Sequence, residues 1–129
     1  MAAKKCLLLV DPHSLFRRTV AMVARELDLA EVREASSHET AQRLLETQRF
    51  DALMLDIGDG LSAVGIVQGV RGGSMSCEAT LPIALTAESC DLATLALFKE
   101  LQVRRIMLKP FKVKTVLEVV ASLTQPARA

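Results

Sequence analysis

The run ALMLD at residues 52–56 places four apolar residues directly before a carboxylate. Three further runs have a similar form: LLLVD at 7–11, PIALT at 82–86 and IMLKPF at 106–111. A fully buried parallel strand has such a continuous apolar sequence, and in open α/β sheets the functional site lies beyond the carboxyl ends of the strands. If the four runs are neighbouring parallel strands, two carboxylates, a hydroxyl and an ammonium meet at one edge of the sheet.

The length of 129 residues predicts a single domain, 1–129, with a core of about 5–124 and a tail or the start of a linker at 125–129. Half of the residues are apolar, but there are only four Phe and no Trp or Tyr, so the core must be aliphatic. The net charge of +1 gives no indication of binding to nucleic acid or to an anionic membrane.

The cysteines Cys6, Cys77 and Cys90 are odd in number and lack metal-ligand spacing. This pattern favours a reduced, cytoplasmic protein. Residues 1–10 hold two lysines and an apolar run that is too short for a signal peptide or a membrane span. We therefore expect no membrane partner.

Strand and helix signals alternate five times along the chain. The predicted strands end at 10, 35, 56, 86 and 108, and the predicted helices cover about 14–27, 36–48, 61–71, 88–101 and 113–123. Ser14 is the candidate N-cap of the first helix, and Ser36 with Glu39 forms a candidate capping box for the second. The run 31–35 is the least apolar strand, as an edge strand would be. This alternation predicts an α/β fold with a doubly wound parallel sheet.

The four motifs resemble, in order and spacing, the receiver domain of bacterial two-component response regulators. In that family an acidic pair ends the first strand, the phosphoacceptor aspartate ends the third, Thr-Ala or Ser-Ala ends the fourth, and Lys-Pro ends the fifth. The matching residues here are Asp11, Asp56, Thr86-Ala87 and Lys109-Pro110. The resemblance implies a five-stranded sheet of order 2-1-3-4-5 in a flavodoxin-like three-layer sandwich with five helices.

The resemblance also implies a function in phosphorelay signal transduction. Asp56 would accept a phosphoryl group from a histidine kinase or a phosphotransfer protein, and Thr86 and Lys109 would contact the phosphoryl oxygens. Mg²⁺ would be held by Asp11, Asp56 and the backbone carbonyl of Gly58. The family commonly has a cis peptide bond at the position of Lys109-Pro110.

Three positions depart from the family pattern. Pro12 replaces the second acid of the pair, so we expect Mg²⁺ to bind weakly. Asp59, in the loop after the phosphoacceptor, could partly replace that acid or could be an ordinary solvated loop residue. Ile106 stands where the family has an aromatic switch residue, so that switching device is weakened or absent. His13 is expected to be exposed to water, and the sequence indicates no partner for His38.

The family's output and dimerisation surface consists of helix 4, strand 5 and helix 5. This part of the chain concentrates basic residues, namely Lys99, Arg104, Arg105, Lys112 and Lys114. We therefore expect an acidic surface of a protein partner, or of a second copy of the chain, to bind there.

Three classes of function were compared. The first is a phosphorylatable receiver, and the second is a pseudo-receiver, a phosphorylation-independent protein-interaction module, which Pro12 favours. The third is an enzyme on a similar sheet. A haloacid-dehalogenase-type phosphatase needs a second Asp two residues after its nucleophile, and neither Asp11 nor Asp56 is followed by one. A flavodoxin would use a hydroxyl-rich phosphate loop and aromatic residues, so the sequence favours a receiver that is not an enzyme.

Overall fold

Strands and helices alternate throughout residues 4–124, which are the residues that the computed structural model describes. The elements are β1 Cys6–Val10, α1 Ser14–Glu26, β2 Glu31–Ala35, α2 His38–Thr47, β3 Ala52–Asp56, α3 Leu61–Arg71, β4 Ile83–Ala87, α4 Leu92–Glu100, β5 Arg105–Leu108 and α5 Val113–Thr124. All strand pairs are parallel, and the order across the sheet is β2-β1-β3-β4-β5. The predicted fold and strand order are confirmed, whereas the predicted tail at 125–129 lies outside the described residues.

Burial along the strands follows their place in the sheet. The three central strands β1, β3 and β4 are almost entirely buried, because helices cover both of their faces. The outer strands β2 and β5 alternate between exposed and covered positions, as edge strands do. One apolar cluster packs α2, α3 and α4 against the sheet, and a second packs α1 and α5 against its other face. These clusters make the three layers.

The register of the strands brings their carboxyl ends to one level. Val10 pairs with Leu55, Asp56 pairs with Thr86, and Ala87 pairs with Leu108. The residues that end the four apolar runs therefore lie at the same edge of the sheet, as the sequence predicts.

Two predicted N-caps are wrong by one residue. His13, not Ser14, is the N-cap of α1, and it makes no side-chain capping bond. The N-cap of α2 is Ser37 rather than Ser36, because Ser37 has the extended backbone conformation that a cap requires. Its hydroxyl oxygen accepts a hydrogen bond from the Thr40 backbone N–H at 3.1 Å. The neighbouring serines cannot be told apart from the sequence pattern alone.

Arg71, the last residue of α3, anchors two segments that the sequence does not connect. Its guanidinium donates hydrogen bonds of 2.7–3.1 Å to the backbone carbonyls of Ala79, Leu81, Leu101 and Gln102. These carbonyls belong to the loop before β4 and to the carboxyl end of α4. Arg71 therefore fixes α4 relative to the sheet through main-chain contacts.

Candidate functional site

Lys109 lies between the two carboxylates that end β1 and β3. Its Nζ is 3.0 Å from Asp56 Oδ1 and 3.2 Å from Asp11 Oδ2. The Thr86 hydroxyl lies 3.4 Å from the same Asp56 Oδ1, to which it donates a hydrogen bond. The four side chains that the sequence placed at this edge therefore form one connected cluster, in which Lys109 contacts both carboxylates and Thr86 contacts Asp56. The peptide bond between Lys109 and Pro110 is cis.

The burial of these groups makes their charges interact strongly. Asp11 is fully buried, while the side chains of Asp56 and Lys109 are 13 % and 19 % exposed. Burial is the largest single influence on Lys109 and lowers the pKa of its ammonium. The hydrogen bonds and charges of Asp56 and Asp11 outweigh burial, so the pKa of Lys109 lies above its ordinary value of 10.5. The ammonium remains charged at neutral pH.

Asp11 is bound by donors on both carboxylate oxygens. Its Oδ1 accepts the backbone N–H of His13 at 2.8 Å, and the His13 Nδ1 lies 2.9 Å from the same oxygen. Its Oδ2 faces Lys109, and its backbone carbonyl accepts a hydrogen bond from Arg17 Nε at 2.7 Å. His13 is exposed over 65 % of its side chain, as expected, yet it also contacts the site, which the sequence analysis missed.

Asp56 is the accessible carboxylate of the pair. An open cleft of about 300 Å³ reaches it, lined by Pro12, His13, Asp56, Gly58, Glu88, Ser89 and Lys109. Asp56 Oδ1 is engaged by Lys109 and Thr86. Within residues 4–124, Asp56 Oδ2 accepts no hydrogen bond, so this oxygen is the one available for chemistry.

A second histidine, His38, contacts the main chain of the site. Its Nε2 lies within hydrogen-bond distance of the Asp56 backbone carbonyl, and its Nδ1 contacts the Ser62 hydroxyl. The sequence analysis found no partner for His38. The signal is not local, because the two contacts span 18 and 24 residues along the chain.

The donor set fits a weakly held Mg²⁺ ion. Asp11 and Asp56 supply hard carboxylate oxygens, and Mg²⁺ is commonly held by one or two carboxylates together with phosphate oxygens and water. Across the described range 4–124, no group of three or more His, Cys, Asp or Glu side chains could hold a metal. Asp59 is not among the residues that line the cleft at Asp56, and its Oδ1 accepts the Leu61 backbone N–H at 3.1 Å at the start of α3.

The predicted output surface divides into two parts. Lys99, Arg104 and Arg105 line a cleft of about 210 Å³ together with Leu95, Val103 and Ile106. Arg104 also donates a hydrogen bond to the Ser122 carbonyl near the carboxyl end of α5. Lys112 and Lys114 lie at the opposite end of α5, around its first residue, Val113.

The contact between Lys109 and Asp11 can be tested through the pKa of the ammonium. Asp11→Asn removes a carboxylate that raises this pKa, so we expect the Lys109 pKa to fall relative to wild type. An NMR titration of isotope-labelled lysine side chains measures this change, with Asp59→Asn as the control outside the cluster. An unchanged Lys109 pKa in Asp11→Asn would contradict the contact.

The same shift has a consequence for stability at alkaline pH. Since the folded-state pKa is raised, the contribution of Lys109 is complete below the unfolded-state value near 10.5 and is lost as pH rises through the folded-state pKa. The free energy of unfolding of wild type should therefore fall more steeply in this alkaline window than that of Lys109→Met.

The sequence matches no family model and no curated protein. The fold, however, matches solved structures of receiver domains. A signal receiver domain from Clostridium thermocellum superposes with a TM-score of 0.80 at 15 % identity, covering 96 % of this chain and 100 % of that one. A response regulator receiver protein from Pseudomonas putida gives a TM-score of 0.79 at 21 % identity, with 95 % and 99 % covered.

A third match is a response regulator protein from Burkholderia pseudomallei with a phosphorylated aspartic acid, a calcium ion and citrate. Its TM-score is 0.71 at 20 % identity, and the match covers 94 % of this chain and 66 % of that one. No helix within residues 4–124 is long and apolar enough to cross a membrane. At these identities the likeness concerns the fold, and the chain has the fold of response regulator receiver domains.

Proposed function

We propose that the protein is a phosphorelay receiver that accepts a phosphoryl group on Asp56. The observation that carries this proposal is the arrangement of Asp56, Lys109 and Thr86 at the open cleft. A nucleophile for phosphoryl transfer must be accessible, and cations or hydrogen-bond donors must surround the phosphoryl oxygens. The three side chains meet these requirements. The donor would be a histidine kinase or a phosphotransfer protein, and a cytoplasmic location stays a prediction.

We infer separate roles for the two oxygens of Asp56 from their contacts. Oδ1 is held by the ammonium of Lys109 and the hydroxyl of Thr86, whereas Oδ2 faces no donor from residues 4–124. We therefore assign Oδ2 as the nucleophile. A phosphorus–oxygen bond forms at Oδ2 as the phosphorus–nitrogen bond of the donor phosphohistidine breaks, and the donor imidazole leaves with the bonding electron pair. Lys109 and Thr86 lie beside the acceptor oxygen, where they can contact the transferred group.

Asp11 and Asp56 would hold Mg²⁺, with Gly58 a further candidate because it lines the same cleft. When bound, the ion would supply positive charge to the phosphoryl oxygens. The Burkholderia pseudomallei protein, which has the same fold, contains a phosphorylated aspartic acid and a calcium ion, and this supports the proposal of a cation in this chain. Weak binding is expected, because Pro12 adds no carboxylate and both oxygens of Asp11 already accept hydrogen bonds.

The second candidate function is a pseudo-receiver that binds its partner without phosphorylation. The observation that favours it is that both oxygens of Asp11 already accept hydrogen bonds, from His13 and Lys109, and these donors compete with a metal for the carboxylate. The two functions differ in whether Asp56 reacts.

The reactivity of Asp56 can be tested with a small phosphodonor. Incubation with acetyl phosphate and Mg²⁺ should add one phosphoryl group to wild type and none to Asp56→Asn, because the amide is not a nucleophile of this kind. The intact mass measures the addition. Asp59→Asn is the matched control, since it removes a nearby carboxylate outside the cluster, and it should be labelled like wild type. Equal labelling of wild type and Asp56→Asn would show that Asp56 is not the phosphoacceptor. No labelling of wild type would favour the pseudo-receiver.

The missing acid can be restored at position 12. At an effective dielectric constant near 20, two unit charges about 4 Å apart interact by about 4 kcal/mol before desolvation is subtracted. We expect Pro12→Asp to gain roughly 1–3 kcal/mol in Mg²⁺ binding, about one to two powers of ten in affinity, and to speed phosphorylation. Titration calorimetry measures the affinity. Pro12→Asn is the control, because it also removes proline but adds no charge. No difference between the two variants would show that the acid is not what limits the metal.

We further propose that the α4–β5–α5 surface binds an acidic surface, either on a protein partner or on a second copy of the chain. The cleft between α4 and β5 combines three cations with the apolar side chains of Leu95, Val103 and Ile106. Since Ile106 has no phenol to present, this combination of charge and apolar surface would provide the binding energy. Lys112 and Lys114 are too far along α5 to belong to the same cleft.

The second-copy form of this proposal predicts self-association that weakens with salt, because such charges are screened over a Debye length of about 10 Å at roughly 0.1 M. Reversing Lys99 and Arg105 to Glu should weaken it, whereas reversing Lys112 and Lys114 is the control of equal charge. Arg104 is left unchanged because its bond to Ser122 is structural. Sedimentation velocity measures the association. If self-association changes neither with salt nor with the reversal of Lys99 and Arg105, an electrostatic contact at this cleft is excluded.

A further inference from the structure

The main chain at the carboxyl edge of the sheet follows one hydrogen-bonding rule at three of the four strand pairs. The residue just after one strand donates its N–H to the last or next-to-last carbonyl of the neighbouring strand. The bonds are Asp11 N–H to the Ala35 carbonyl, Ile57 N–H to the Thr86 carbonyl and Lys109 N–H to the Ala87 carbonyl, at 2.7–3.1 Å. Each bond closes the ladder directly beside the site.

The fourth pair, β1 with β3, cannot follow this rule. Val10 pairs with Leu55, and continuing this register by one residue places Asp11 beside Asp56. In a parallel ladder of this register, the backbone nitrogen of residue 12 then faces the Asp56 carbonyl. The facing directions agree, because the N–H of Asp11 points to β2 and that of Ile57 points to β4. Residue 12 is proline, which has no N–H. The ladder therefore offers no main-chain donor to the carbonyl of the proposed phosphoacceptor.

The His38 imidazole occupies this vacant donor position. A carbonyl only accepts, so the hydrogen bond to Asp56 requires the proton on Nε2. In the neutral ring, Nδ1 then accepts the hydroxyl proton of Ser62. One imidazole thus joins the first residue before the β3–α3 loop to the second residue of α3.

The loop beneath the imidazole contains two glycines in the left-handed region of backbone conformation. Gly58 and Gly60 have φ values of +57° and +95°, a region that other residues rarely adopt. A Cβ at Gly58 would lie 3.5 Å from His38 Cε1, so the ring packs directly over this glycine. The N–H of Gly60 donates to the Ile57 carbonyl at 2.8 Å, which closes the turn.

We propose that His38 is a positioning residue that replaces the missing N–H of residue 12 and, through Ser62, holds Asp56 and the 57–60 loop in place. This proposal rests on the proposed function only in its prediction of the rate at which Asp56 is phosphorylated. The predicted effect of His38 on the 57–60 loop concerns the unphosphorylated protein and does not depend on that function. His38 and Pro12 are consequently a coupled pair, and the effect of changing one depends on the other.

The first test measures the loop in the unphosphorylated protein. His38→Phe keeps a planar ring but removes both nitrogens, so we expect amide hydrogen exchange at Gly60 to accelerate roughly three- to tenfold. His38→Gln keeps an amide donor of similar reach and should retain most of the protection. Nitrogen NMR of the imidazole in wild type should show the proton on Nε2. Unchanged exchange in His38→Phe, or a proton on Nδ1 alone, would overturn the proposal.

The second test is a double-mutant cycle with Pro12→Ala, which restores the N–H without adding a carboxylate. In this background His38→Phe should accelerate Gly60 exchange less than twofold, because the main chain now supplies the donor. A purely packing role would give the same acceleration in both backgrounds, and such additivity would refute the coupling.

The third readout links the pair to chemistry. Labelling of Asp56 by acetyl phosphate should be several-fold slower in His38→Phe than in wild type, with most of the rate recovered in His38→Gln and in the Pro12→Ala, His38→Phe double variant. If His38→Phe is labelled at the same rate as wild type, His38 has no effect on the reactivity of Asp56. If no variant is labelled, the proposed function fails, and the exchange and NMR measurements still decide the role of His38.

Discussion

The site depends on one ammonium placed between two carboxylates. Asp11 and Asp56 end neighbouring strands of a parallel pair, so the register forces their side chains to the same edge. Like charges at one sheet edge repel each other, and a buried charge such as that of Asp11 is strongly unfavourable when it is unpaired. Lys109 lies within 3.2 Å of both and offsets this repulsion. β5 must therefore end beside them, which fixes the outer half of the sheet.

The two carboxylates have different environments although their chemistry is the same. Asp11 is fully buried, and donors occupy both of its oxygens, whereas Asp56 faces an open cleft with one oxygen free. Asp11 is buried and already accepts hydrogen bonds on both oxygens, so a metal would have to share this carboxylate with His13 and Lys109. Asp56 is the more accessible of the two carboxylates. His13 contributes to the asymmetry, because its backbone N–H and its ring both contact Asp11 Oδ1 as the chain leaves β1.

The sequence predicts the sheet and the four side chains at its edge because both depend on residue type within short runs. A buried strand such as ALMLD is apolar throughout, and its last residue must reach the edge. The contacts of His38 and Arg71 with backbone carbonyls could not be predicted in this way, because they depend on packing between distant parts of the chain. The contact of His13 with Asp11 spans only two residues, but the apolar pattern of the strand carries no information about it. The sequence also could not decide between Ser36 and Ser37 as the N-cap of α2, because both are serines and they are adjacent in the chain.

Residue 12 carries two separable properties in a site of this kind, a side-chain ligand and a backbone donor. Proline removes both. In our proposal, His38 at the start of α2 replaces the lost backbone donor, because its imidazole reaches the Asp56 carbonyl. The position of Asp56 therefore need not change. Asp59 does not replace the lost carboxylate, because it does not line the cleft at Asp56. The contacts of Asp56 with Lys109 and Thr86 are preserved, while position 12 offers no charge to a metal. Under the proposed function, this combination predicts an acceptor that is well positioned but reacts slowly.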